Sequence, residues 1–217
     1  MNLTCTLTVI VSIIIILQVS ICFGYEDNYW VSTLLGSAGR GSKDGDRLTG
    51  QVNRPVGVQY YNNSVYITNS EDACIRVFDW QNNYIRTYAG NCYGTGSLDG
   101  SLKTGRFLKI RYLTFDGNGT MYVADYCGIR ILKDQAMNTF CGSVSTVGYQ
   151  NGPCPSALFG EVMQIVFFKD EKGGGATNFL ISSHPVIRMI DSQGNVTTFA
   201  GNGNPSYQNG PLLSASF

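Results

Sequence analysis

Short apolar runs recur along the chain, and polar or glycine-containing turns such as "DGNGT" and "DSQGN" separate them. The runs are rich in β-branched and aromatic residues, which is typical of strands. Three groups of four strands are predicted: 56–61, 65–68, 74–79 and 84–89; 110–116, 121–125, 128–132 and 137–141; and 162–168, 178–182, 185–191 and 196–200. Each group is expected to form one four-stranded antiparallel sheet.

Glycine-rich segments alternate with these groups and repeat at regular intervals. The glycines that open them, Gly36, Gly90, Gly142 and Gly201, are 54, 52 and 59 residues apart. A second glycine (Gly45, Gly100, Gly152 or Gly210) is followed seven positions later by Val52, Phe107, Phe159 or Phe217. Because small sheets must stack to bury both faces, this internal repeat predicts a β-propeller whose blades span about 56–89, 110–141 and 162–200.

The composition agrees with an all-β globular protein and excludes some classes of binding partner. The 217 residues are 43% hydrophobic and 14% charged, contain 26 glycines and carry no formal net charge. We find no cluster of lysine and arginine, so a nucleic-acid or anionic-membrane surface is not expected.

The first 24 residues have the features of a secretory signal peptide. They carry no charged side chain, are apolar from about Val9 to Leu17, and end with Cys22 and Gly24 at the small-residue positions of a cleavage site. The alternative is an uncleaved N-terminal anchor. We therefore expect a secreted chain of residues 25–217, with no membrane span in its mature part.

The second repeat carries a family resemblance. The stretch "DGNGTMYVADYCGIRIL", residues 116–132, resembles the NHL repeat through Tyr122-Val123-Ala124-Asp125 and Ile129-Arg130. The other two repeats match more weakly, through Ile75-Arg76 and Ile187-Arg188, and other propeller families remain an alternative. The resemblance implies an NHL-type β-propeller over about residues 31–217.

Up-and-down topology predicts where recognition takes place. The glycine-rich segments join one blade to the next, so they are expected to gather on one face. Their framework glycines and aromatic anchors can be purely structural, whereas their variable residues and a neighbouring turn are candidates for ligand contact. The candidates on this ligand face are Tyr93, Tyr149, His184 and Tyr207.

Three sequons predict N-glycosylation at Asn62, Asn118 and Asn195. All three lie in predicted turns within blades. We expect them to project from the face opposite the glycine-rich segments, which would leave the ligand face free of glycan.

The cysteines predict disulfides in an oxidising compartment. Once the signal peptide is removed, five cysteines remain. Hairpin geometry favours the pairs Cys74–Cys92 and Cys127–Cys141, which leaves Cys154 as a free or intermolecular thiol, although other pairings stay open.

We find no catalytic motif, metal-ligand cluster or cofactor motif. The single histidine cannot form a multi-histidine zinc site. The favoured function is therefore a non-enzymatic binding module for an extracellular protein or glycan. The alternatives are a fragment of a propeller lyase or hydrolase with a central metal, and a structural segment of an adhesive or receptor protein.

The repeats also predict an incomplete disc. Residues 30–36 match an outermost strand without the rest of its blade, and residues 201–217 begin a further, truncated repeat. Exposed blade faces at the two sides of the arc would favour self-association.

Overall fold

The computed structural model describes residues 32–37, 39–170 and 176–217, so the expected signal peptide lies outside the described residues. The described part is all β and forms three five-stranded antiparallel sheets. Sheet 1 contains β1 (Gly45–Asp46), β2 (Pro55–Tyr61), β3 (Ser64–Asn69), β4 (Cys74–Asp79) and β5 (Tyr84–Ala89). Sheet 2 contains β6 (Gly100–Ser101), β7 (Ile110–Phe115), β8 (Met121–Asp125), β9 (Gly128–Lys133) and β10 (Ala136–Gly142). Sheet 3 contains β11 (Gly152–Pro153), β12 (Val162–Asp170), β13 (Ala176–Ser183), β14 (Val186–Ile190) and β15 (Asn195–Ala200).

Local turn chemistry closes the hairpins. Asn62 and Asn63 both have positive φ, 44° and 57°, in the two-residue turn between β2 and β3. Asp134 and Gln135, with φ of 50° and 63°, do the same between β9 and β10. Two successive positive φ angles match the twist of the flanking strands, so these turns fix the register of each hairpin.

The sheets pack face to face in chain order, and their inner strands β2, β7 and β12 are neighbours. The core between sheets 1 and 2 contains Ile75, Leu113 and Val123, and the core between sheets 2 and 3 contains Ile129, Ile165 and Ile181. All of these side chains are buried. The arrangement is consistent with a propeller-like stack of sheets.

Each sheet has one strand more than the four predicted. The fifth strand is a two-residue piece of the preceding glycine-rich segment, and it pairs with the start of the outermost long strand: Gly45 with Ile85, Gly100 with Met137, and Gly152 with Val196. A strand of two residues has no hydrophobic alternation, so the sequence pattern missed it. Each of the first three glycine-rich segments therefore pairs with the outer edge of the sheet that follows it.

The prediction of an outermost strand at residues 30–36 is wrong for residues 32–36, the part of this range that the structure describes. Residues 32–36 form no strand. A strand needs a neighbour to accept and donate its backbone hydrogen bonds, and no described strand runs beside these residues. Instead the Gly36 amide donates to the Arg47 carbonyl at 2.8 Å, within its own segment.

Candidate functional site

One arginine in each sheet is fully buried and holds the glycine-rich segment in place. In sheet 2, Arg130 Nη2 donates to Asp99 Oδ1 at 2.6 Å and to the Leu98 carbonyl at 3.0 Å. Its Nη1 donates to the Arg106 carbonyl at 3.1 Å and lies 3.4 Å from Asp125 Oδ2. The guanidinium thus binds both limbs of the segment, because its planar fork presents several donors at once.

The other two arginines repeat this arrangement. Arg76 Nη1 donates to Asp44 Oδ1 at 2.6 Å, and Arg188 Nη2 donates to Asn151 Oδ1 at 2.6 Å. Asp44, Asp99 and Asn151 each directly precede the second glycine of their segment. The glycine-rich segments are therefore framework elements first, and only their variable residues are free to contact a ligand.

The second disulfide differs from the sequence prediction. Cys74 pairs with Cys92 as predicted, but Cys141 pairs with Cys154, their Cα atoms being 4.4 Å apart. Cys127 is buried and is the described cysteine that forms no disulfide, so the prediction of Cys154 as the free thiol is wrong.

Strand register explains the difference. In sheet 2 the residue equivalent to Cys74 is Gly128, and a Cβ built there would lie 2.8 Å from Val144, the equivalent of Cys92. Cys127 precedes that position by one residue, and a shift of one residue turns a side chain to the other face. Meanwhile the Gly142 amide donates to the Cys154 carbonyl at 3.0 Å, which holds Cys154 beside Cys141.

The position that the Cys74–Cys92 disulfide occupies in the first repeat is open in the third repeat, where it forms a cavity of about 350 Å³. Val186 and Gly203 stand where Cys74 and Cys92 are linked in the first repeat and where Gly128 and Val144 are in contact in the second. A Cβ built on Gly203 meets nothing within 4 Å. The cavity is thus a feature of the third repeat and not of the common framework. Its lining consists of Tyr149, Pro185, Val186, Thr198, Gly201, Asn202, Gly203 and Leu213.

Of the four ligand-face candidates, Tyr149 lines this cavity, and His184 lies beside it without contributing to the lining. Tyr149 Oη donates to the His184 carbonyl at 2.8 Å, which fixes a tyrosine ring whose surface is 53% exposed at the wall. The His184 side chain is exposed beside Pro185. No charged side chain lines the cavity, so it suits a neutral group that can pack on an aromatic ring and hydrogen-bond to polar atoms at the wall.

The structure does not bring the other two candidates to this cavity. Tyr93 and Tyr207 are 86% and 99% exposed, and neither contributes to the lining. Sequence reasoning missed Thr198, Asn202 and Leu213, which carry no distinguishing motif. The recurrent Ile-Arg dipeptide was a visible signal for the buried arginines.

The three sequon asparagines are exposed. Asn62 and Asn118 lie in the turns that follow the inner strands β2 and β7. Asn195 pairs with Pro153, so a part of the glycine-rich segment crosses the sheet edge and reaches the turn in which Asn195 lies. The face from which the three asparagine side chains project stays a prediction.

Burial, hydrogen bonds and neighbouring charges shift the pKa values of two carboxyl groups near the inner strands. Burial raises the pKa of Asp125 above its ordinary value, against the lowering effects of hydrogen bonds from the Lys109 and Leu108 amides and of Arg130. Hydrogen bonds from Lys109 and then Arg111 lower the pKa of Glu161. Both groups act in the framework, because Asp125 caps the start of β7 and Glu161 joins sheets 2 and 3.

Among the described residues, no group of three or more histidine, cysteine or acidic side chains is placed to hold a metal ion. The described part also contains no helix with the length and apolarity needed to cross a membrane. The two disulfides are typical of an oxidising, extracytoplasmic compartment.

No protein-family profile and no curated protein matches the chain. Solved structures that resemble it include a protein of unknown function from Bacteroides thetaiotaomicron, with 19% identity, a TM-score of 0.44, and coverage of 86% of this chain and 68% of that one. Auxiliary nutrient binding proteins from B. thetaiotaomicron and Bacteroides ovatus are 16% and 14% identical, with TM-scores of 0.45 and 0.43. In each case 85% of this chain and 68% of the other are covered. Similarity at this level carries no argument about ligand or activity.

Proposed function

We propose that the chain is a secreted segment of an NHL-type β-propeller that binds an extracellular protein or glycan at the cavity of the third repeat. The observation that carries the proposal is the cavity itself, which is about 350 Å³ in volume and is bounded by Tyr149. Ligand sites are commonly concave, largely apolar and of this size.

The variation between repeats supports a binding role for this position. A disulfide fills it in the first repeat and Val144 fills it in the second, so an open position is not needed for folding. The fixed Tyr149 ring loses little conformational entropy when a ligand packs against it. The disulfides and the N-terminal apolar segment support secretion, and the Ile-Arg strands support the NHL-type assignment.

The test is a binding screen with paired variants. Secreted wild-type chain is applied to a glycan array and is also used to capture proteins from extracellular fluid, alongside Tyr149→Ala and Tyr207→Ala. Tyr207 occupies the equivalent position in the fourth segment, so its substitution is a matched control. We expect Tyr149→Ala to weaken binding by about tenfold or more, as for a central aromatic contact, and Tyr207→Ala to leave it unchanged.

A second variant tests the cavity without removing the tyrosine. Val186→Trp would fill the cavity from its wall, and Val186→Ala, which leaves the cavity open, is its control. We expect Val186→Trp to lose binding and Val186→Ala to keep it. Equal binding by wild-type chain, Tyr149→Ala and Val186→Trp would refute the proposed site.

A further inference from the structure

The fourth glycine-rich segment, residues 201–217, has the same internal fold as the first three. The Gly201 amide donates to the Leu212 carbonyl at 2.8 Å, as Gly90 donates to Leu102 at 2.9 Å. The Ala215 amide donates to the Pro211 carbonyl at 2.9 Å, in the turn equivalent to the one that Gly105 and Ser101 close. The segment is therefore formed before anything binds it.

This fold presents the acceptors that hold a buried arginine elsewhere in the chain. In segment 90–107, Arg130 binds the Asp99 side chain and the carbonyls of Leu98 and Arg106, and it lies 5.9 Å from the centre of the Phe107 ring. The equivalent groups in the fourth segment are the Asn209 side chain, the carbonyls of Gln208 and Ser216, and the Phe217 ring. Gln208 and Ser216 form the same isolated bridge as Leu98 and Arg106.

The equivalent groups differ in exposure. Phe107 and Phe159 are fully buried by the sheet that follows them, whereas Phe217 is 45% exposed. Leu212 is also exposed, while its equivalent Leu102 is buried. Within the described ranges no arginine occupies the acceptors of the fourth segment, since Arg76, Arg130 and Arg188 each bind one of the first three segments.

We propose that residues 201–217 form a docking site for a β-sheet that inserts an arginine side chain between Asn209 and Phe217. The outermost strand of that sheet would pair with Gly210 and Pro211, as β15 pairs with Gly152 and Pro153. The guanidinium would donate to the Asn209 side chain and to the free lone pairs of the Gln208 and Ser216 carbonyls, and would stack on the Phe217 ring.

The partner is a different sheet and not sheet 1 of a second copy. In sheet 1 the outer edge of β5 is already paired with β1, and Arg76 already binds Asp44. The occupant must offer a free outermost strand and an arginine on the strand beside it. The docking site also continues the outward face of sheet 3, where Val166 is exposed and Leu180 and Met189 are half-buried.

The test uses the full chain and a synthetic cyclic hairpin that copies residues 185–200, the two outer long strands of sheet 3. Binding is followed by NMR and by titration calorimetry. We expect chemical-shift changes at Asn209, Gly210 and Phe217. A hairpin with lysine in place of the arginine should bind about tenfold more weakly, because a point charge cannot make the forked contacts.

Variants of the chain give the matching controls. Asn209→Ala should weaken binding of the arginine hairpin by about tenfold, whereas Asn204→Ala, an exposed asparagine of the same segment, should have no effect. Absence of binding at millimolar hairpin, equal binding of the lysine hairpin, or shift changes confined to sheet 1 would each overturn the proposal. So would self-association of the chain through residues 201–217 that Asn209→Ala leaves intact.

Discussion

We expect the buried arginines to contribute strongly to the free energy of unfolding, and Arg130→Met tests this expectation. Methionine has a similar length and stays apolar, so the substitution removes the charge and its hydrogen bonds without opening a large cavity. The change leaves Asp99 half exposed to water but leaves Asp125 fully buried with only the Leu108 and Lys109 amides as partners.

The size of the effect follows from that remaining buried carboxyl group. Breaking a buried ion pair by removing one partner costs about 3–5 kcal/mol. Asp99 can be hydrated once Arg130 is gone, so we expect the lower end of this range, about 3 kcal/mol. The double variant Arg130→Met/Asp125→Asn should regain part of the loss, since it leaves no buried charge.

Urea unfolding followed by circular dichroism at pH 7 measures these differences, provided that the slopes agree among the variants. Arg86→Met is the control, because Arg86 is exposed on β5; it should change the free energy of unfolding by less than about 0.5 kcal/mol. A loss for Arg130→Met as small as that of the control would refute the anchoring role.

Three further predictions follow. Non-reducing peptide mapping should find Cys141 linked to Cys154, and Cys127 should react with an alkylating reagent only after unfolding, because it is buried. As the pH rises through the raised folded pKa of Asp125, wild-type chain should lose stability relative to Asp125→Asn, because the folded state binds this proton more tightly than the unfolded state does. Mapping of secreted chain before and after deglycosylation should find glycan at Asn118, which is exposed in its turn.

A specific result would contradict each of these three predictions. A peptide linking Cys127 to Cys141 would contradict the register of sheet 2. A stability difference between wild-type chain and Asp125→Asn that is independent of pH from about 4 to 8 would contradict the raised pKa. If Asn118 were found unmodified in fully secreted chain, the prediction of a glycan at that turn would be wrong.

The long strands could be predicted from local pattern alone. The predicted run 121–125 is β8, 74–79 is β4 and 84–89 is β5. Period-two alternation, β-branched residues and glycine or asparagine turns are local properties, so they can be recognised without knowledge of the rest of the fold.

The candidate site could be predicted only in part. The sequence predicts Tyr149 and His184 as ligand-face residues; Tyr149 lines the cavity, and its hydroxyl donates to the His184 carbonyl beside it. The cavity depends on Gly203 lacking a side chain opposite Val186, and only the fold brings these two positions to the same wall. No local pattern reports such a placement.

The sequence by itself determined the internal repeat and the approximate spans of the long strands, because these depend on neighbours along the chain. Only the tertiary structure decided which cysteine pairs with Cys141, which short strand joins each sheet, and what the buried arginines bind. Those outcomes depend on register between strands and on how a segment crosses the sheet edge. A shift of one residue, as between Cys127 and Gly128, reverses the face on which a side chain lies.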